Sequence, residues 1–108
     1  MYKNTIKNGG NMTILTSRVI SIYDRKTTMR LAKAEWTVLD NICYLEKIKR
    51  KNLLELIDQN RDKKIGLTPS VRLFTLLYLY EMSAQFATQN AFLPNHENLQ
   101  KTLEVLHL

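Results

Sequence analysis

Residues 24–36 read DRKTTMRLAKAEW. Alternation sets Lys26, Thr28 and Arg30 on one side of an extended chain and Thr27, Met29 and Leu31 on the other. Successive side chains of a strand point to opposite faces, so the segment is a half-buried strand with a charged outer row. One strand is not a stable sheet in water, so this one needs a partner, and the partner decides what the outer row is for.

The surrounding sequence narrows the choice. Residues 1–12 are polar, contain Gly9-Gly10 and show no periodicity, which predicts a disordered extension, with Met12 a second candidate start. β-Branched residues then accumulate: Val19, Ile20 and Ile22 form one extended segment, and Asp24-Arg25 marks a break before the strand over 26–31. Trp36, Leu39, Ile42 and Cys43 recur at three- to four-residue spacing, predicting a helix over about 33–46. The basic run KIKRKN (47–52) interrupts it before a second helix over about 50–60, with Leu53, Leu54, Leu56 and Ile57. Thr68-Pro69 reads as the start of a third, hydroxyl at the N-cap and proline at the first helical position, running to about residue 87. Its LFTLLYLY segment is apolar on nearly every side, so it belongs in a core or against another subunit. Pro94 sets off a tail in which Asn95 caps a short helix with a Leu99, Leu103, Leu106 stripe. The expected division is therefore 1–12, a domain over 13–87, and a tail over 88–108.

Sixteen Lys and Arg stand against ten Asp and Glu. Residues 18–64 hold twelve basic and seven acidic side chains, whereas 65–108 hold two and three. A basic half and a packing half suit a polyanion ligand, although a plain basic surface has the same composition. With 44% apolar residues a core can form, and a small chain often completes it by oligomerising. No apolar run has membrane-spanning length, no signal peptide is evident, and Cys43 is the only cysteine. These point to a cytoplasmic protein with no membrane partner.

The order strand, helix, basic turn, helix has a physical logic for DNA. Two copies of the strand, one from each of two chains, can pair antiparallel into a ribbon. Its inner face of Thr27, Met29 and Leu31 would seal a shared core, and Lys26, Thr28 and Arg30 would face outward twice over. The major groove admits a two-stranded ribbon, and Arg to guanine or Thr to a thymine methyl are suitable contacts. The amino end of the second helix would meanwhile point its amides at a phosphate.

Residues 18–80 resemble the ribbon-helix-helix DNA-binding proteins of the Arc/MetJ/CopG type, in particular a bacterial branch with an added strand in front and a third helix behind. The resemblance is carried by ISIYDRKTTMRLA (20–32) followed by Trp36, by LLELID (53–58) and by LTPSVRLFTL (67–76). It implies a mainly α fold with a short β-ribbon, a ribbon-helix-helix homodimer with additional C-terminal helices. It also implies transcription regulation through duplex DNA. Two departures stand out. Asp24-Arg25 replaces the branch's Gly-His, and Lys47, Ile48 and Lys49 replace a Gly-x-Ser/Thr turn whose hydroxyl would cap the second helix beside the phosphate.

The expected base-contacting residues are Lys26, Thr28 and Arg30, and the expected phosphate-contacting ones are Arg25, Lys47, Lys49, Arg50 and Lys51. The expected dimer core is Thr27, Met29, Leu31, Trp36, Leu39, Ile42, Leu53, Ile57, Phe74 and Leu76. Arg72 is read either as a surface arginine with a packed stem or as half of an ion pair with Asp58 or Glu55. Cys43 reads as a small apolar residue. His96 and His107 lack ligand neighbours, so no metal, no cofactor and no catalytic site are expected. Two rival functions share these features. One is an antitoxin whose tail binds a toxin protein; the other is a dimeric assembly protein indifferent to DNA. Higher oligomers on DNA stay open.

Overall fold

The computed structural model describes residues 11–87 and 96–106. Its elements are β1 (Leu15–Ile22), β2 (Arg25–Ala32), α1 (Lys33–Glu46), α2 (Arg50–Asn60), α3 (Leu67–Ala87) and α4 (Glu97–Val105). One edge of β2 is taken by the strand in front of it, as the resemblance implies. β2 pairs antiparallel with β1 of the same chain, from Leu15 opposite Ala32 to Ile22 opposite Arg25. The ribbon of one protomer is thus a hairpin, and no second chain is needed to form it.

Only Tyr23 and Asp24 lie between the strands, both left-handed, with φ of 49° and 61°. Positive φ at both central residues is the signature of the type I′ turn that suits a twisted hairpin. Tyrosine is a costly choice there, because its Cβ crowds the backbone. The turn is held from outside: the Tyr23 amide donates to Glu55 Oε2 at 2.8 Å and its hydroxyl to Asp58 Oδ2 at 3.0 Å. Tyr23 and then Lys51 hold the Glu55 carboxyl below its ordinary range, while Arg61, and after it Tyr23, lowers Asp58.

α1 follows β2 without a break. Glu35 accepts the Ala32 amide at 2.7 Å, the returning half of a capping box whose other half an alanine side chain has no acceptor to make. Trp36, Leu39 and Ile42 face inward as their spacing requires. The helix ends at Lys47, left-handed at φ 54°, and the Ile48 amide returns to the Cys43 carbonyl at 3.0 Å. The chain therefore makes the turn without the glycine that its geometry favours. Lys49 at the N-cap of α2 makes no side-chain cap bond. Changing Lys49 to threonine should supply the missing acceptor and raise stability by about 1 kcal/mol, read as a higher urea midpoint at constant slope.

α3 begins at Leu67, two residues before Pro69, and the first bond of its ladder runs from the Ser70 amide to the Gly66 carbonyl at 3.2 Å. Pro69 sits inside the first turn, where a missing N–H costs nothing. One side of α3 is buried through Val71, Phe74 and Tyr78, while Leu76, Leu79 and Tyr80 are exposed. Leu76 is accordingly not in the core of the chain. Thr27, on the inner side of the ribbon, is also exposed, although Ile20 opposite it is buried. Both lie on surface that a second protomer could cover.

The central core joins Ile20, Met29, Leu31, Trp36, Leu39, Ile42, Leu53, Leu54, Ile57 and Phe74. α4 closes it from the side of α2 and α3. Leu99 and Leu103 of α4, with Leu106 just after it, are buried there against the protein's own helices. Residues 11 and 12 form a helical turn ahead of β1, whereas the rest of the expected 1–12 extension, and Pro94, Asn95 and His107, lie outside the described residues.

Candidate nucleic-acid interface

The register settles which side chains share a face. Across the ribbon Lys26 stands opposite Ser21, Thr28 opposite Val19, and Arg30 opposite Ser17. These six lie on the side away from the helices, since Ile20, Ile22, Met29 and Leu31 take the other. Lys26, Thr28, Arg30, Ser17 and Val19 are exposed, and Ser21 is half-buried. Hydrogen bonding sets a second property. The Lys33 amide donates to the Ile14 carbonyl at 3.0 Å, and in an antiparallel pair bonded and non-bonded positions alternate. Stepping along the register, Thr16–Leu31, Arg18–Met29, Ile20–Thr27 and Ile22–Arg25 exchange backbone bonds. The backbone groups of Lys26, Thr28 and Arg30 therefore point off the free edge of β2, and those of Ser17, Val19 and Ser21 off the free edge of β1.

The cations divide by what holds them. Arg25, Lys26, Arg30, Lys47 and Lys49 make no side-chain hydrogen bond or ion pair among the described residues. Arg50, by contrast, is turned to Asp40 at 2.9 Å and lies 5.3 Å from the Trp36 ring centre. Arg18 does the same from β1, at 3.5 Å from Asp40 and 4.8 Å from the ring. Lys51 pairs with Glu55 at 3.0 Å. Solvent screens that i,i+4 pair, so a phosphate can compete for the lysine. Arg50 is the harder one to release, because Asp40 and the Trp36 ring both hold it.

Arg72 pairs with neither Asp58 nor Glu55, which are engaged by Arg61 and by Lys51 and Tyr23. It reaches Glu35 at 3.1 Å and the Arg30 carbonyl at 3.4 Å. One guanidinium thus links α3, the start of α1 and the free edge of β2. Beside it runs a shallow apolar groove lined by Ala34, Val38, Leu73, Leu76 and Leu79.

A polar cluster beneath the tail was not legible at all. Glu46 is buried, accepts the Tyr78 hydroxyl at 2.5 Å and lies 2.8 Å from His96 Nδ1, so it fastens α4 to α1 and α3. Burial, and then the neighbouring carboxylate, pushes the Tyr78 phenol far above its ordinary range. The one available clue is that Glu46 continues the Trp36, Leu39, Ile42 stripe by four residues. Burial, helped by Asp40, pushes the Cys43 thiol up to about 11, which leaves little thiolate at neutral pH. Among the described residues no group of His, Cys, Asp and Glu is arranged to hold a metal, and no helix is long and apolar enough to cross a membrane.

A two-stranded ribbon with an unpaired cationic outer face, carried on a helix pair joined by a basic turn, defines a class of small nucleic-acid-binding domain. A ribbon-helix-helix domain model matches residues 15–79, and the chain belongs to that family. The domain is a DNA-binding, transcription-regulator type of fold, and its members are typically not enzymes. No curated protein and no solved structure matches the chain.

Proposed function

We propose that the protein is a homodimeric transcriptional regulator of the bacterial cytoplasm that binds duplex DNA sequence-specifically, its ribbon set in the major groove. Because β1 occupies one edge of β2, the second protomer joins at the other. Two β2 edges pair antiparallel about a two-fold axis, and the Lys26, Thr28 and Arg30 rows of both chains come to lie side by side. The apolar groove along α1 and α3 continues that contact. Arg30 and Lys26 suit guanine O6 and N7, Thr28 suits a thymine methyl, and Lys47 and Lys49 anchor phosphates that fix register but carry no sequence information.

The observation that carries this reading is the outer row itself: exposed cations without partners, on a face whose other members are small or uncharged. The test is selection from random duplex DNA with the wild type beside a Lys26→Ala, Thr28→Ala, Arg30→Ala variant. The wild type should enrich a short, roughly palindromic motif and the variant none. On that motif Arg30→Ala alone should cost about 1–3 kcal/mol, with unchanged binding to unrelated DNA. Equal losses on every sequence would remove direct readout, and indifference to DNA would leave a pure assembly protein.

A further inference from the structure

Pairing two hairpins through their β2 edges makes a sheet of four strands, and that sheet is too wide for the groove. Neighbouring strands lie about 4.8 Å apart, so the outer two are roughly 14 Å from each other, against a major groove roughly 12 Å wide. The two β2 strands fit between the walls; the β1 strands fall on them. The composition of β1 matches that position. Its outward side chains are Ser17, Val19 and Ser21, short groups that let a backbone come close, and its outer edge carries their unpaired amides. Hydroxyls and backbone N–H groups are ordinary phosphate donors that read no sequence.

We infer that β1 rides on the sugar-phosphate walls, where the hydroxyls of Ser17 and Ser21 and the edge amides of Ser17, Val19 and Ser21 contact phosphates on either side of the bases read by β2. This placement rests on the dimer proposed above. It makes β1 an anchoring strand as well as the in-chain partner of β2, and it sets a phosphate footprint wider than the base-contacting row.

The test is a gain of function. Val19 is 66% exposed on this face, so lysine fits there without disturbing the core. On a fixed mixed-sequence duplex, Val19→Lys should bind roughly tenfold more tightly at low salt. Its log affinity against log salt should steepen by about two, one phosphate from each protomer. The motif selected from random DNA should stay that of the wild type. A Ser17→Ala, Ser21→Ala variant should move the other way, a uniform several-fold loss on all sequences, with the dimer intact by sedimentation. Unchanged affinity and slope for Val19→Lys would place β1 off the DNA and overturn the inference. A changed motif would also overturn it, by placing β1 over the bases. If the wild type selects no motif and the Lys26, Thr28, Arg30 variant binds as it does, base reading by β2 has failed instead, and the wall placement falls with it.

Discussion

Trp36→Ala should cost about 3–5 kcal/mol, enough to leave a domain of this size partly unfolded at room temperature. The side chain is fully buried where the ribbon meets α1 and α2. Its indole N–H donates to the Thr16 carbonyl at 2.8 Å, tying β1 to α1. Removing the ring leaves a cavity, takes that donor from β1 and strips the apolar surface on which Arg18 and Arg50 rest while they share Asp40. Trp36→Phe keeps a ring but loses the N–H, so it should cost only about 1 kcal/mol beyond the volume lost. Urea unfolding of the two variants measures both terms. A loss below about 1.5 kcal/mol for the alanine variant would mean that the ring is not the centre of the packing.

In the dimer proposed above, Leu76→Asp with Leu79→Asp should leave a monomer with the fold of each chain unchanged. The two leucines are 63% and 46% exposed in the single chain, so its own core loses little. Fully burying a leucine contributes about 1.5–3 kcal/mol, and a symmetric interface buries the exposed half of each twice; losing four leucines removes roughly 3–6 kcal/mol before the cost of burying aspartates is added. Sedimentation should show half the mass, the far-ultraviolet dichroism should match the wild type, and DNA affinity should collapse because a monomer holds half of the contacts. A retained dimer would move the interface elsewhere. The next candidate is the apolar surface of Cys43, Tyr44, Leu45 and Ile48 at the end of α1.

Most of the elements were legible because they rest on local spacing. The stripes of α1 and α2 place both helices at 33–46 and 50–60, as observed. Alternation in KTTMRL separates Met29 and Leu31 from Lys26, Thr28 and Arg30, and the burial of the chain keeps that separation. Composition also marks the leucine stripe of α4. The start of α3 was misplaced because a proline is tolerated anywhere in a first turn, so it marks the turn without fixing the residue.

What no local pattern contains is the choice among partners. Alternation says that β2 needs a neighbour without naming it; the Tyr23–Asp24 turn, secured by Glu55 and Asp58, sets β1 on one of its two edges. Arg72 has acidic residues within plausible reach on two helices, and only the approach of α3 to the start of α1 selects Glu35. Arg50 and Lys51 read as equivalent in a basic run, yet one pairs with Asp40 on α1 and rests on Trp36, while the other pairs within its own helix with Glu55. Glu46 counts as a solvated charge until α3 and α4 bring Tyr78 and His96 over it. The elements, their faces and the charged outer row are legible along the chain, because they depend on neighbours a few residues away. The tertiary structure decided the pairing of the strands, the partners of the charges and the docking of the tail, because each depends on groups brought together only when the chain closes on itself.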